Sequence, residues 1–348
     1  MRPTLVILTD NFGLNFSGGA IATCRIFVEL ETAFKEIIVV GKQLGVHPFQ
    51  QLKFRRYDNR RMAIRTLRQL ATPTTIFYGD FYMSYYFILA KLPFYFTYHD
   101  NWPEQGQFGW QNALRAWYYV PLYRWIIRRA AWTITVSNFK YEFIRKISPC
   151  TSVIRNGINM RITKNAYEVY QPKMDLRILM SGNIDDRKFA WALALFQKIK
   201  KGGELSQIQF HLYGKVLDEN LAQQLAAFDF VTLAGFQLDI DFSNFDLYCC
   251  TSKIENLSIA VCEALCNYTP VLSFDVGGLK EVIAAPSTGI LIPPGDIEAF
   301  YQALKKISSG QLRFDFSQQD LSEYDWAFAA KAYHKILFKN INPQATNV

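Results

Sequence analysis

The chain has 348 residues, more than twice the ~150 residues typical of one domain, which predicts two domains with separate cores. Half of the residues are hydrophobic and 20% are charged, which excludes global disorder. The longest uncharged apolar stretch, Phe81 to Ala90, is about half the ~20 residues of a membrane-spanning helix, and the apolar run Leu5 to Leu8 is too short for a signal-peptide core. We therefore expect a cytoplasmic protein.

The positive charge is confined to the first half of the chain. Residues 1–155 hold 20 Lys and Arg against 9 Asp and Glu, a net charge of +11, whereas residues 156–348 hold 18 against 21, a net charge of −3. The first half also contains 30 of the 54 aromatic residues. A basic, aromatic-rich half beside a nearly neutral half indicates two tasks. The basic half is expected to face an anionic partner: phosphates, nucleic acid or the inner leaflet of a membrane.

Short apolar or β-branched runs alternate with longer amphipathic segments along nearly the whole chain. Strands are predicted in the first half at Leu5–Thr9, Ile37–Val40, Thr75–Tyr78, Phe94–Tyr98, Thr133–Val136 and Val153–Ile154. Strands are predicted in the second half at Ile178–Met180, Gln209–Tyr213, Val231–Leu233, Leu247–Cys249, Val271–Ser273 and Ile290–Ile292. Helices are predicted at Ala20–Ala33, Met62–Leu70, Asn112–Arg129, Phe189–Ile199 and Ala260–Cys266.

This alternation is typical of parallel sheets with helices on both faces, and it occurs twice. The predicted fold is α/β, with two doubly wound Rossmann-like domains facing a cleft. The expected boundaries are an N-terminal domain at residues 1–158, a C-terminal domain at 159–322, a final helix at 323–340 and a flexible tail at 341–348. Ligands of such sheets bind beyond the carboxyl ends of the strands, so functional motifs are expected there.

The first strand is followed by a glycine turn, in which Ser17-Gly18-Gly19-Ala20 opens a helix. Gly18 and Gly19 let a ligand approach the backbone closely, and the helix start offers free N–H groups to an anion. The turn matches neither a dinucleotide-binding fingerprint nor a Walker loop, so a plain strand–helix turn is an equal alternative.

A sharper pattern runs from Thr251 to Leu265, where a strand enters a polar turn and then a helix containing Glu263. If the helix starts near Asn256, Glu255 precedes its first turn and Glu263 lies about two turns inside. Free N–H groups near Leu257 and Ser258 then face a phosphate, while the two carboxylates accept hydrogen bonds from sugar hydroxyls. An ordinary surface helix is the alternative interpretation of the same spacing.

With its surroundings, this second half resembles the GT-B-fold glycosyltransferases of the family 4 type, whose Glu-any-seven-Glu signature matches Glu255 and Glu263. Weaker marks of the family follow in the expected order: Val136-Ser137, Arg155-Asn156-Gly157-Ile158, Ser181-Gly182-Asn183 with Lys188, Leu212-Tyr213-Gly214, Val231 to Gly235, Gly277-Gly278, Gly289 to Ile292, and Trp326 opening a helix that in the family returns to the first domain. The resemblance covers residues 130–340 well and the first 100 residues only through the glycine turn and Tyr98-His99-Asp100.

The resemblance implies a retaining hexosyltransferase that moves a sugar from a nucleotide diphosphate sugar to a glycan or lipid-linked acceptor. It favours a UDP-sugar as the donor. It implies that Glu263 binds the ribose, Glu255 and His99 contact the transferred sugar, and Lys188 neutralises the diphosphate. Amides at Asn256, Leu257, Ser258, Gly18 and Gly19 would hold phosphate, and Gly214 and Val231 would line the base pocket. The setting it implies is bacterial surface polysaccharide or lipid-linked glycan assembly.

One position departs from the family, which usually has Arg where this chain has Asn183. Arg187 is a substitute in charge, but its side chain is expected to point away from Lys188 on the helix. A non-catalytic glycan-binding partner subunit and a sugar-nucleotide epimerase of the same architecture therefore stay open as alternatives.

No metal or other cofactor is expected. The six cysteines form no Cys-any-any-Cys pair and no zinc-ligand spacing with the four histidines, which predicts free, mostly buried thiols. Asp239-Ile240-Asp241 has the pattern of a metal motif but follows a strand where no substrate is expected, so a solvated loop is predicted.

Basic residues cluster beside large aromatics at two places in the first half. Arginines recur at 55, 56, 60, 61, 65 and 68, and again at 124, 128 and 129 next to Trp117, Tyr118, Tyr119, Tyr123 and Trp125. This pattern fits contact with an anionic membrane at its inner face, as for a peripheral protein, or solvated helix faces over an ordinary core. Nucleic acid is not expected, because no recognised nucleic-acid module appears.

Overall fold

The computed structural model describes residues 2–158, 175–205, 207–317, 320 and 322–339. The chain forms two compact domains: residues up to Gly157 together with those from Ser322 on form the first, and the residues between form the second. The expected break at residues 159–174 and the expected tail at 341–348 lie outside the described residues.

The first domain is built on a seven-stranded parallel sheet with the strand order β5-β3-β1-β6-β7-β8-β9. Its strands are β1 (Thr4–Leu8), β3 (Glu36–Gly41), β5 (Leu52–Arg56), β6 (Thr75–Gly79), β7 (Tyr95–Tyr98), β8 (Trp132–Thr135) and β9 (Thr151–Val153), and β2 (Asn11–Phe12) pairs separately with β4 (Gln43–Leu44). The central strands are apolar runs buried on both faces, as expected where helices cover both sides of a parallel sheet.

Helices cover both faces of this sheet. They are α1 (Gly18–Glu29), α2 (Arg60–Gln69), α3 (Tyr85–Ala90), α4 (Trp110–Arg129), α5 (Asn138–Arg145) and α10 (Trp326–Phe338). Because parallel crossovers are right-handed, α1 lies on one face and α2 to α5 lie on the other. Ser17, Asn59 and Ser137 cap α1, α2 and α5 by accepting a backbone N–H, which sets where each helix begins.

The C-terminal helix α10 belongs to the first domain and packs against α1. Tyr333 on α10 is fully buried, and its hydroxyl lies 3.0 Å from the hydroxyl of Thr97 on β7. A Cβ atom at Gly157 would lie 2.4 Å from the backbone nitrogen of Trp326, so only glycine fits where α10 begins. The chain from residue 322 on thus completes the core of the first domain.

The second domain has a six-stranded parallel sheet with the order β12-β11-β10-β13-β14-β15. The strands are β10 (Leu176–Ser181), β11 (Ile208–Tyr213), β12 (Val231–Gly235), β13 (Leu247–Cys250), β14 (Val271–Phe274) and β15 (Gly289–Ile292). The helices are α6 (Asp186–Gly202), α7 (Glu219–Ala226), α8 (Ile259–Cys266) and α9 (Ile297–Ser308).

The predicted fold class of two doubly wound α/β domains is confirmed, and each predicted strand and helix has a counterpart. The sequence analysis did not name β5 or the short pair β2 and β4 among the strands, nor α3, α5, α7 and α9 among the helices. β5 is an edge strand, and the side chains of Lys53, Arg55 and Arg56 on it are exposed. It therefore lacks the apolar pattern of a buried strand, and its basic residues run directly into those of helix α2.

A buried carboxylate follows β6 in the first domain. Asp80 is 1% exposed and accepts a hydrogen bond from the Thr23 hydroxyl at 2.9 Å. Burial raises the pKa of Asp80 to about 7, although the Thr23 hydroxyl acts in the opposite direction. Since an unfolded Asp titrates near ~3.9, stability that Asp80 contributes in its neutral form is present at acidic pH and is lost as the pH rises through 7.

We expect Asp80→Asn to flatten the pH dependence of the first domain's stability. Between pH 5 and pH 8 the free energy of unfolding of the wild type should fall by about 2–3 kcal/mol because of this one group. In the variant, the free energy of unfolding should not show this decrease. Hydrogen exchange of the β1 and β6 amides measures it. An unchanged pH profile in the variant would show that Asp80 is not the titrating group.

Candidate functional site

The strand order of the second domain reverses between β10 and β13, and this topological switch point is where doubly wound sheets bind ligands. The chain leaving β10 runs through Gly182 and Asn183 into α6, which contains Lys188. The chain leaving β13 runs through Thr251 to Glu255. Topology therefore brings together two of the residues that the sequence singled out.

Hydrogen bonds tie the loop after β13 to the first turn of α6. The Thr251 hydroxyl donates to the Lys188 carbonyl at 2.9 Å, and the Lys253 N–H donates to the Arg187 carbonyl at 2.8 Å. The Lys253 ammonium also pairs with Asp186 at 2.7 Å. The relative position of the two segments is thus set by backbone contacts as well as side chains.

At the centre of this arrangement the Lys188 ammonium forms an ion pair with the Glu255 carboxylate. The two side chains are 14% and 8% exposed. Burial acts to raise the pKa of Glu255, but the charges of Lys188 and Arg187, with hydrogen bonds from Lys188 and Ser252, outweigh it and hold that pKa below its usual range. Glu255 is therefore an ionised acceptor at neutral pH.

Two glycines make room for this pair. A Cβ atom at Gly182, whose φ is +146°, would lie 3.2 Å from the Lys188 side chain. A Cβ atom at Gly277, whose φ is +60°, would lie 1.5 Å from the Glu255 carbonyl oxygen, which no rearrangement of a side chain relieves. Gly277 therefore supports the Glu255 backbone directly.

Helix α8 begins at Ile259, one residue before the predicted Ala260, and Ser258 is its N-cap, so the condition of a start near Asn256 is not met. The Asn256 carbonyl accepts from the Gly278 N–H at 3.1 Å, so it is engaged outside the helix, whereas the Ser258 carbonyl accepts from Cys262 at 3.2 Å. Asn256, Leu257 and Ser258 consequently lie before the helix, and its first N–H groups are those of Ile259 and Ala260. Glu263 lies about one turn inside α8, not two, and is half-buried.

The structure does not bring Gly214 and Val231 together. Gly214 follows β11 at the carboxyl edge of the sheet, where its N–H donates to the Gly235 carbonyl at 2.9 Å. Val231 opens β12 opposite Phe210, four residues or about 13 Å back along the strand direction. The assignment of both residues to one base pocket stays a prediction.

The residues that do lie at that edge are Gly235 and Phe236, which sequence reasoning missed. The Phe236 side chain is 40% exposed, and the Lys215 ammonium lies 5.0 Å from the centre of its ring.

Asn183, in the loop between β10 and α6, is half-buried. The next residue is fixed by its backbone, because the Ile184 N–H donates to the Lys215 carbonyl at 2.8 Å. Arg187 is near enough to the pair for its charge to help lower the pKa of Glu255. The guanidinium lies 3.8 Å from Asp185, the N-cap of α6, which keeps it at this end of the helix.

In the first domain the structure brings Gly18 and Gly19 to His99. The two glycines are the first residues of α1, and a Cβ atom at Gly19 would lie 3.1 Å from the His99 Cβ and 2.8 Å from the Phe81 ring. Burial lowers the pKa of His99 to about 4, so its imidazole is neutral at pH 7. Its Nε2 is buried with no hydrogen-bond partner among the described residues. The roles of these three residues toward a donor stay predictions.

The basic clusters of the first domain are exposed. Arg61, Arg65 and Arg68 line an open hollow between α2 and Leu89 of α3, and Arg68 donates to the Leu89 carbonyl at 3.0 Å. The exposed arginines 115, 124, 128 and 129 of α4 form no ion pair with an acidic residue in the described part of the chain. Much of the positive charge expected from composition is thus uncompensated at the surface.

The described residues contain neither a candidate membrane span nor a candidate metal site. No helix there combines the length and the apolarity that crossing a bilayer requires. No group of three or more His, Cys, Asp or Glu side chains there is arranged to hold a metal ion. Asp241 caps a short 3₁₀ helix by accepting from the Ser243 N–H at 3.0 Å.

Comparison with protein families assigns both domains. Residues 26–161 match a model described as Glycosyltransferase Family 4, and residues 175–309 match a model described as Glycosyl transferases group 1. Together the two models span most of the chain.

Solved structures match over nearly the whole length. Sucrose-phosphate synthase from Thermosynechococcus elongatus superposes with a TM-score of 0.79 at 17% identity, covering 98% of this chain and 99% of that one. Anabaena HepE in complex with UDP-glucose superposes with a TM-score of 0.68 at 17% identity, covering 98% of both chains. At these identities the likeness shows the fold.

Among curated sequences, the chain is similar to the GtfA subunit of the UDP-N-acetylglucosamine–peptide N-acetylglucosaminyltransferase of Streptococcus parasanguinis. The identity is 27% over 158 residues, which are 42% of this chain and 29% of that protein. The chain matches less than a third of the length of each curated relative found here.

The buried ion pair generates a stability prediction. Lys188→Met leaves Glu255 buried without its main partner, which should lower the free energy of unfolding of the second domain by about 3–5 kcal/mol. Adding Glu255→Gln should recover most of that loss, because no buried charge then remains. Urea unfolding of the wild type, the single variant and the double variant measures both effects. A single variant as stable as the wild type would contradict the pairing.

Proposed function

The chain belongs to the glycosyltransferases of the GT-B fold, and on that premise we propose that it transfers a hexose from a nucleotide diphosphate sugar to a glycan or lipid-linked acceptor, with retention of configuration. The observation that carries the proposal is the buried Lys188–Glu255 pair at the switch point of the second domain. It places a cation and an ionised carboxylate where a doubly wound sheet binds a nucleotide.

The pair supplies two kinds of recognition at one place. The Lys188 ammonium stabilises the negative charge that builds on a diphosphate as the bond to the sugar breaks. The Glu255 carboxylate, kept ionised by Lys188 and Arg187, accepts hydrogen bonds from hydroxyls of the sugar. The first N–H groups of α8, at Ile259 and Ala260, add donors for a phosphate oxygen.

In the proposed reaction the bond between the anomeric carbon and the diphosphate oxygen breaks, and a bond from the acceptor hydroxyl oxygen forms on the same face of the sugar. The electron pair of the broken bond goes to the diphosphate. The leaving phosphate takes the proton of the acceptor hydroxyl, so the step needs no side-chain nucleophile. Catalysis then depends on stabilisation of the leaving group by Lys188.

We propose uridine diphosphate as the carrier. The structure of HepE contains UDP-glucose, and the streptococcal relative is named for UDP-N-acetylglucosamine, which supports this choice. Glu263, half-buried on α8 beyond Glu255, is assigned to the ribose hydroxyls.

We assign the acceptor to the first domain and the setting to the inner face of the plasma membrane, in the assembly of a bacterial surface polysaccharide. Support comes from charge: residues 1–155 carry a net +11, and the arginines of α2 and α4 lie at the surface. An anionic leaflet attracts each nearby cation with roughly 1 kcal/mol.

Incubation with a panel of nucleotide sugars tests the reaction. A transferase without an acceptor should hydrolyse its own donor slowly and leave the others intact. Release of an isomerised sugar would establish an epimerase instead, and binding without turnover would establish a non-catalytic partner subunit. In the folded double variant Lys188→Met/Glu255→Gln, hydrolysis should fall on the order of 10²–10³-fold. Lys198→Met is the matched control, since it removes a cation of the same helix whose partner Glu298 is exposed.

The ribose assignment predicts weaker nucleotide binding in Glu263→Ala. Losing hydrogen bonds to a charged acceptor should cost about 1.5–3 kcal/mol of binding free energy for UDP. Isothermal titration calorimetry measures it, and Glu219→Ala on the exposed start of α7 should bind UDP like the wild type. Unchanged affinity in Glu263→Ala would remove Glu263 from the site.

The membrane setting predicts salt-sensitive binding to anionic vesicles. Binding should weaken as the screening length falls from about 10 Å at 0.1 M salt to about 3 Å at 1 M. Arg128→Glu with Arg129→Glu should weaken co-sedimentation without changing affinity for UDP. Lys331→Glu with Lys335→Glu on α10 reverses the same number of exposed charges on the other face of the sheet and serves as the control. Equal partition onto anionic and neutral vesicles would contradict electrostatic docking.

A further inference from the structure

Helix α4 has apolar side chains on its solvent-facing side as well as on its core side. Tyr123, Ile126 and Ile127 are buried against the sheet. The solvent-facing side presents five large apolar side chains, a set called here the α4 stripe: Trp110 (72% exposed), Leu114 (64%), Trp117 (88%), Tyr118 (59%) and Trp125 (37%). A group of large apolar side chains exposed on one face marks a surface that a partner or a membrane covers.

The α4 stripe is continuous. At 3.6 residues per turn its five members lie within a sector of about 100° around the helix axis, opposite the buried residues. Three of the seven tryptophans of the chain therefore fall on one exposed helix face, whereas isolated exposed apolar residues elsewhere need no explanation.

The charges of α4 indicate what kind of partner covers the α4 stripe. The helix contains four arginines, at 115, 124, 128 and 129, and no Asp or Glu. All four are exposed and without an ion pair to the described acidic residues. Tryptophan beside arginine on one face is the composition of helices that lie in the interface of an anionic bilayer, where indole rings reach the acyl boundary and guanidinium groups meet phosphates.

We propose that α4 lies flat in the headgroup region of an anionic bilayer and inserts the α4 stripe, with Trp117 as its deepest anchor. The inference deepens the membrane setting proposed above and rests on it. It adds an apolar contribution that salt does not screen, so part of the binding should persist at 1 M salt.

The test uses the full chain and vesicles of mixed phosphatidylcholine and phosphatidylglycerol. Trp117→Ala should weaken vesicle binding at least about tenfold at both low and high salt, since a large side chain loses its burial. The substitution touches no core contact, because Trp117 is 88% exposed. Phe328→Ala is the matched control: Phe328 is 52% exposed on α10, on the other face of the sheet, and this variant should bind like the wild type.

A second measurement locates the inserted side chains. Lipids brominated in their acyl chains should quench part of the tryptophan fluorescence, and Trp117→Ala should lose a share of that quenching. Wild-type binding by Trp117→Ala, or no quenching of bound protein, would overturn the proposal. So would a lipid-free dimer that Trp117→Ala converts to monomer in light scattering, because a second copy would then cover the α4 stripe.

Donor hydrolysis measured without lipid separates this inference from the proposed function. Hydrolysis by Trp117→Ala at the wild-type rate, with weakened vesicle binding, supports both. If no nucleotide sugar is turned over while vesicle binding still depends on Trp117, the proposed function fails and the docking surface stands.

Discussion

A lysine and a glutamate of opposite charge, both largely removed from water, constrain the second domain. Neither charge is tolerable alone at that depth, because an unpaired buried ion costs several kcal/mol. Lys188 comes from the helix after β10 and Glu255 from the loop after β13, so the pair requires the two strands to be neighbours. The hydrogen bonds from the Thr251 hydroxyl and the Lys253 N–H to backbone carbonyls of α6, and the glycines at 182 and 277, are arranged around that requirement.

Replacing such a pair with apolar residues often leaves a protein equally stable or more stable, so stability alone does not account for it. The proposed function accounts for it, because holding a diphosphate and a sugar would need both charges at one place. The pair keeps each charge partly compensated and the carboxylate ionised, and its geometry is set before any ligand is engaged.

The first domain has the same kind of topology and a different electrostatic arrangement. The groups after its central strands are a carboxyl whose pKa burial raises to about 7 and an imidazole whose pKa burial lowers to about 4. Its net positive charge lies outside, on α2 and α4. In the nearly neutral second domain, the charges of the Lys188–Glu255 pair lie at the switch point. In the basic first domain, the positive charge lies at the surface.

Periodicity and composition by themselves determined the architecture: apolar runs of strand length alternating with amphipathic segments predict two parallel sheets, because burial on both faces leaves a readable pattern. Composition also singled out the arginines, and the polar turn after a predicted strand singled out Glu255, whereas Lys188 was implied only by the family resemblance. The tertiary structure alone decided which residues meet. Ser258, not Asn256, caps α8 because Gly278 engages the Asn256 carbonyl, and Val231 is remote from Gly214 because it opens its strand. It also decided that Arg187 acts on Glu255 and that the α4 stripe faces outward, since hydrogen-bond competition, strand direction and helix rotation depend on contacts distant in sequence.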